Sequence, residues 1–403
     1  MQDSRRYYSL DALRGVMMML GVVIHGSMLY LATPVQGISL PTDRSTSFFF
    51  DIITYFIHSF RMPLFFILAG FFSSLLVEKR GLRGTFINRG KRILGPLLAA
   101  VVTVLPLSLL FIGSSFVYAR FGTHQLIPDR QQIEILTEEM RTMGIGGEPT
   151  ILHLWFLQYL LYFYLTIPVC SLIVRLSGFV RAGVDSLLEA PAVILLFGLI
   201  TGLILWPYRG GMIFRDVLYI TPGLSVLIYY WLFYLLGYVF HHHRGILVTF
   251  RECIVTTGIA SIFLFPASIY TGVLDAADGQ SSLFMHTVTV LLHGFCTWTL
   301  IYFLMGVFLR YFDTDSPWVL YLSQSSYWVY LVHMPIVSIA AWWLLPYDLH
   351  AYVKFSLVVV FTVLLCFVSY HYMVQRTWIS VFLNGRRFDL DWPWLVKLRP
   401  QEG

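Results

Sequence analysis

Long apolar runs separated by short polar breaks make up most of the chain. Ten runs stand out, at 10–31, 49–77, 93–118, 151–174, 191–208, 217–240, 253–273, 283–309, 317–345 and 351–375. About 20 consecutive apolar residues carry a helix across the hydrocarbon layer of a bilayer. The runs are unbroken rather than alternating, which favours helices over a membrane β-barrel. The pattern predicts an all-α, polytopic membrane helix bundle of about ten transmembrane helices. The fifth run is short for a span and is expected to be tilted or broken. The first run carries Asp11, Arg14 and His25, and no clean small-residue cleavage pattern follows it, so it reads as a span rather than a signal peptide. No repeat, low-complexity linker or large soluble insert is visible. One domain is expected over 1–403, with a helical core at about 10–375 and a tail at about 376–403.

Composition sharpens this picture. The 403 residues are 57% hydrophobic and only 12% charged, where an average soluble domain carries about 25% charge. A soluble globular enzyme, a disordered chain and a fibrous protein are excluded on that ground. Of the 27 Lys and Arg, 17 fall on one side of the spans, at the N-terminus, 78–92, 175–190, 241–252, 310–316 and the tail; seven fall on the other. This bias places both termini in the cytoplasm. Its richest stretch is Glu78–Arg92, with Lys79, Arg80, Arg83, Arg89, Lys91 and Arg92. The longest outer loop, 119–150, carries Asp129, Glu134, Glu138, Glu139 and Glu148 and a short amphipathic helix near 130–142. The net charge of +5 is what cytoplasmic loops require, and no basic, aromatic-interleaved soluble face points to nucleic acid. Cys170, Cys253, Cys296 and Cys366 lie in or beside apolar runs without short spacing, suggesting neither a disulfide framework nor a zinc site.

Charges within the spans carry the functional signal, since an Arg or Lys at mid-membrane costs about 2.5–3.5 kcal/mol on insertion scales. Eleven helical steps from Arg14 bring His25 back to nearly the same face, about 16 Å along the axis. Arg14 would sit near the cytoplasmic surface and His25 in the outer half. An interfacial Arg and a His bonded to backbone is the simpler alternative. In the second run, His58 and Arg61 share a face, followed by Pro63. A buried Arg61 needs a carboxylate, a phosphate or carbonyls; Asp51 and Asp11 are the nearest structural partners. His153 and Trp155 open the fourth run, where Trp155 also fits an aromatic belt. Tyr330 and His333 share a face of the ninth. His25, His58 and His333 are thus expected at comparable depth around one cavity. The turn Asn88–Arg92 reads either as topology or as an anion site, because guanidinium fits phosphate. His241, His242 and His243 sit at a helix exit, where a solvated run is the ordinary reading and a metal site the rarer one. Glu252, Asp275, Asp278, Asp313 and Asp315 read as loop charges.

These residues resemble the membrane acyltransferase-3 family. Arg14 with ten residues before His25 resembles its first-helix motif. Arg89-x-x-Arg92 resembles its cytoplasmic Arg-x-x-Arg motif. HLWFL at 153–157 and SYWVYLVH at 326–333 resemble two further blocks, in order, on the expected helices. Within the family, YYSLDALRG and the FIHSFRM stretch at 56–62 look most like the branch that succinylates osmoregulated periplasmic glucans.

The resemblance implies acyl transfer from cytoplasmic acyl-CoA, with succinyl favoured and acetyl possible, to a hydroxyl of a periplasmic glucan. The enzyme would then lie in a bacterial cytoplasmic (inner) membrane and bind no tight cofactor or metal. Arg14, Arg89 and Arg92 would hold the phosphates of coenzyme A, while the pantetheine arm threads between helices. His25 would act as general base on the acceptor hydroxyl, worth about 10²–10⁴-fold. His58 would orient His25 or stabilise the oxyanion. Arg61 would hold a succinyl carboxylate or balance the oxyanion. Trp155, Tyr330 and His333 would line the acceptor side. No Ser or Cys stands out beside a His, so direct transfer is simpler than an acyl-enzyme. Acetylation of another cell-surface glycan is the alternative within this chemistry. A polytopic transporter is the main alternative outside it, although no inverted repeat is visible. A lipid-linked glycosyltransferase would need outward acids near the first helix, where only Asp43 is a candidate. A purely structural subunit would carry Arg14, His25, His58 and Arg61 at a cost without a return.

Overall fold

A computed structural model describes residues 7–33, 41–142, 150–213, 218–277 and 282–388, together with residue 393. Glu148, Asp278 and most of the expected tail lie outside the described residues. All ten apolar runs are helical. They form α1 (Tyr8–Ser27), α2 (Phe48–Arg89), α3 (Gly95–Phe121), α5 (Trp155–Leu165) with α6 (Ile167–Ser177), α8 (Val193–Ile204), α9 (Leu224–His242), α11 (Ile254–Ala277), α12 (Leu283–Tyr311), α13 (Pro317–Leu344) and α14 (Ala351–Ser369). The connections add α4 (Arg130–Thr142), where the amphipathic helix was expected, and α7 (Arg181–Glu189), α10 (Ile246–Glu252) and α15 (Trp378–Asn384). Among the described residues, eight continuous helical stretches are long and apolar enough to cross a membrane, one of them the run Phe48–Phe121 that contains both α2 and α3. The fifth run yields only the 12 residues of α8, about 18 Å of helix at 1.5 Å per residue, shorter than the hydrocarbon layer. The chain is a multi-pass, all-α membrane bundle.

Contacts between helices set their directions. Arg14 meets Ser323 and His25 meets His333, so α1 and α13 run parallel. Ser27 meets Thr54 while Met17 meets Arg61, so α2 runs opposite to α1. Tyr327 meets Arg92 and Trp342 meets Phe111, so α3 returns alongside α13. Ser9 approaches Asp313, and Asn384 reaches Gln324, so the first and last described segments sit at the same end of the bundle, with Arg14, Arg89 and Arg92.

Two prolines break the ladder where the bundle uses the break. A proline has no N–H for the carbonyl four residues earlier. Pro63 in α2 frees the carbonyl of Ser59, which accepts from Thr297 Oγ1 of α12 at 2.9 Å. Pro335 in α13 frees the carbonyl of Leu331, which accepts from His153 Nε2 at 3.1 Å.

The pair α2 and α9 is locked by glycine. A Cβ on Gly70 would lie 1.9 Å from the carbonyl oxygen of Tyr234, and one on Gly237 would lie 1.9 Å from that of Ile67. The two backbones touch, as small residues permit between membrane helices. Gly237→Val is therefore expected to force α9 off α2, at about 1–3 kcal/mol. A lower thermal midpoint of the detergent-purified protein checks this; an unchanged midpoint contradicts it.

Candidate active site

At the end of the bundle that holds the first and last described segments, α1, α2, the turn at 90–94, α5, α13 and the segment from the end of α15 to Phe388 surround an open cavity of about 570 Å³. Arg14, Arg89 and Arg92 all line it, and Arg80 and Arg386 join them. Arg14 is held by Ser323 Oγ at 2.7 Å and by Asp11 at 3.1 Å, over the ring of Phe72. Arg89 stacks over Tyr164, and its Nε is buried with no hydrogen-bond partner among the described residues. Arg92 lends its backbone carbonyl to the Tyr327 hydroxyl at 2.8 Å. Among the described residues the lining contains no carboxylate. Apart from Arg14, which Asp11 holds, these guanidinium groups have no carboxylate partner among the described residues, and together they make an anion site.

A second, small chamber of about 20 Å³ adjoins the first, with room for about one water. Met18, Phe65, Phe156 and Tyr330 line both spaces. Met18 lies on α1 between Arg14 and His25, so the stripe expected from spacing joins the two spaces. The chamber holds His25, His153, His333 and Arg61. The His25 and His333 rings are 5.3 Å apart and those of His153 and His333 5.2 Å. Each imidazole keeps one buried ring nitrogen without a partner: Nδ1 of His25, Nδ1 of His153 and Nε2 of His333.

Backbone carbonyls set two of the tautomers. His333 Nδ1 lies 2.7 Å from the carbonyl of Tyr330 and must donate to it, which leaves Nε2 as a lone pair. His153 Nε2 donates to the Leu331 carbonyl freed by Pro335, which leaves Nδ1 as a lone pair. His153 is held from the other side by Tyr330, whose hydroxyl donates to its backbone carbonyl at 2.8 Å.

Arg61 is buried among these rings. Its Nε donates to the carbonyl of Met17 at 3.0 Å, and no carboxylate pairs with it among the described residues. Neither Asp51 nor Asp11 is its partner: Asp51 caps the loop after α1 through the backbone N–H groups of Ala32 and Thr33, and Asp11 holds Arg14. Space for the guanidinium comes from Gly21, where a Cβ would lie 2.4 Å from Arg61 Nη2 and 3.7 Å from His333 Nε2. A buried cation without a counter-charge is expensive, and it creates a place for an anion.

The expected placement of His58 is corrected. Its Nε2 donates to the carbonyl of Ile213 at 2.9 Å, and it lines a separate pocket with His293, Gly211 and Thr297. It does not orient His25. The third imidazole is His153, noted above as opening the fourth run and within a sequence block but not expected in the cavity. Its signal was present as a histidine opening an apolar helix, but nothing local distinguished it from an interfacial residue. Trp155 and Tyr330 do line the chamber.

Other candidates serve the scaffold. His241 bridges Ser74 and Glu78, and His243 bridges Asp185 at 2.6 Å and Ser177 at 3.2 Å. No group of three or more His, Cys, Asp or Glu among the described residues is arranged to hold a metal ion. Asp43 is spent in a buried 2.7 Å ion pair with Lys354. Asp275, expected as a loop charge, is wholly buried and joins Arg209, Gly210 N and His286. The four cysteines are buried and unpaired.

Comparison with known proteins fits this layout. An acyltransferase domain model of the acyltransferase-3 family matches residues 7–371. Glucans biosynthesis protein C of Escherichia coli O139:H28 (strain E24377A / ETEC) is 23% identical over 410 residues, covering 95% of each chain. The protein of the same name from Escherichia coli K12 is likewise 23% identical over 95% of each chain. No solved structure matches the chain. With a basic cavity, an adjoining histidine chamber and a family match that spans nearly every helix, this chain belongs to the acyltransferase-3 family and is a membrane acyltransferase.

Proposed function

We propose that the protein moves an acyl group, succinyl in preference to acetyl, from cytoplasmic acyl-CoA to a hydroxyl of a periplasmic glucan in a bacterial inner membrane. The observation that carries this reading is the stacking of an arginine cavity, lined among the described residues by no carboxylate, on a chamber of three imidazoles and an arginine with no carboxylate partner among those residues. The name shared by the Escherichia coli relatives supports a glucan as acceptor. The positive-inside bias puts the arginine cavity, and both termini, on the cytoplasmic side.

In the mechanism, Arg14, Arg89 and Arg92 hold the coenzyme A phosphates, and the acyl-pantetheine arm passes Met18, Phe65, Phe156 and Tyr330. The chamber must widen to admit the thioester, since it holds about one water as it stands. His25 removes the acceptor hydroxyl proton as the oxygen attacks the thioester carbonyl. Arg61 balances the oxyanion or pairs with the free carboxylate of a succinyl donor. The C–S bond then breaks, the sulfur takes a proton, and free coenzyme A leaves through the basic cavity. His333 and His153, each offering a fixed lone pair, accept hydrogen bonds from the acceptor sugar beside Trp155 and Tyr330.

Purified protein given radiolabelled succinyl-CoA and periplasmic glucan is expected to yield labelled glucan and free thiol in equal amounts. Flux of an intact solute into liposomes without thiol release would overturn the proposal in favour of a transporter. Arg89→Gln is expected to raise the KM for acyl-CoA about tenfold or more, since a hydrogen bond to a charged group contributes about 1.5–3 kcal/mol. Initial rates over a donor titration check this. A changed kcat at constant KM would exclude the phosphate role.

A further inference from the structure

The arginine cavity is closed on one side by a segment beyond the last apolar run. Helix α15 ends at Gly385, whose φ of +77° turns the chain back. Residues Asn384–Phe388 form a hook held at several points. The Asn384 amide reaches the carbonyl of Gln324 at 3.4 Å, Ser380 Oγ donates to the carbonyl of Arg386 at 2.8 Å, and Phe388 N donates to the carbonyl of Gln375 at 3.0 Å. A Cβ on Gly385 would lie 1.6 Å from Arg92 Nη2, so the turn rests on that guanidinium. The hook delivers Arg386 into the cavity, with its guanidinium over the ring of Phe388 at 4.8 Å.

Positive-inside topology explains why these arginines share a side of the membrane. It does not explain why Arg14, the Arg80, Arg89 and Arg92 of one basic stretch, and Arg386, from three distant parts of the chain, line one cavity. Arg80, Arg89, Arg92 and Arg386 have no carboxylate partner among the described residues, and like charges gathered this way repel one another. Holding Arg386 there through three backbone and side-chain anchors makes sense when an anion of high local charge completes the cluster. A phosphomonoester carries about −1.5 to −2 near neutral pH and offers three acceptor oxygens. In coenzyme A that group is the 3′-phosphate, at the end of the molecule farthest from the thioester.

Resting on the donor assigned above, we propose that the C-terminal hook is one wall of the donor site and that Arg386, beside Arg92, binds the 3′-phosphate of coenzyme A. Donor recognition then depends on residues outside the apolar core, and the enzyme distinguishes coenzyme A from its 3′-dephospho form.

The test is calorimetric titration of the full-length purified protein with coenzyme A and with 3′-dephospho-coenzyme A. The wild-type protein is expected to bind coenzyme A more tightly. Arg386→Gln should weaken coenzyme A about tenfold or more, leave the dephospho form unchanged, and leave the thermal midpoint in place. Arg386→Lys should recover part of the affinity, which a packing role would not predict. Equal weakening of both ligands, or no weakening of either, overturns the assignment to the 3′-phosphate. A wild-type protein that binds neither ligand removes the donor assignment itself, and the hook assignment with it.

Discussion

His25→Ala is expected to lower glucan acylation by about 10²–10⁴-fold, the usual contribution of a positioned general base. The loss should fall on kcat at saturating acyl-CoA, because His25 lies in the small chamber and not on the arginine cavity. Coenzyme A affinity and the thermal midpoint should be close to wild type, since His25 is half-buried and its enclosed Nδ1 makes no hydrogen bond. His25→Gln keeps much of the volume and a hydrogen-bonding end but cannot take the proton, so it should fail as badly as alanine. Single-turnover transfer of radiolabel measures this directly. A folded His25→Ala protein that transfers at the wild-type rate would end the assignment. His333→Ala and His153→Ala would then be the next variants, because Nε2 of His333 and Nδ1 of His153 are the other lone pairs in that chamber.

The second large effect is expected at Arg61, with opposite signs for activity and stability. Removing one donor to a developing oxyanion costs about 10²–10³-fold in rate, and Arg61→Gln should show a loss of that order. The same change removes a buried cation that no carboxylate compensates, and burying a charge is costly. Among the described residues, what is lost in exchange is the bond from Nε to the Met17 carbonyl and the contact over the Phe65 ring. The thermal midpoint should therefore hold or rise while activity collapses, as expected where a site is strained for function. Comparing donors separates the two chemical roles. An equal loss with succinyl-CoA and acetyl-CoA assigns Arg61 to the oxyanion, and a selective loss with succinyl-CoA assigns it to the donor carboxylate. Wild-type rates with both donors would remove Arg61 from the mechanism.

Gly21 belongs to the same argument. Its missing side chain leaves room for Arg61 beside His333, and no periodicity or charge in α1 singles it out. Its role appears only once α2 is laid against α1. His58 and His153 make the same point from opposite directions. His58 is one helical turn from Arg61, and sharing a face at that spacing is only approximate. In the bundle that difference turns His58 toward Ile213 and His293 while Arg61 turns toward His333. His153 looked interfacial, yet it is drawn in by a carbonyl that a proline 182 residues further along leaves without its helical partner.

Sequence alone determined the class, the helical runs and the Arg14-to-His25 stripe. Those features follow from local rules: a backbone in lipid must satisfy its own hydrogen bonds, and one helix repeats its faces every 3.6 residues. Only the tertiary structure decided which imidazoles converge, which ring nitrogen each presents, and that the segment after the last span closes the arginine cavity. Those outcomes depend on how helices far apart in the chain rotate, kink and approach one another, and no periodicity within a single helix records its neighbour's rotation.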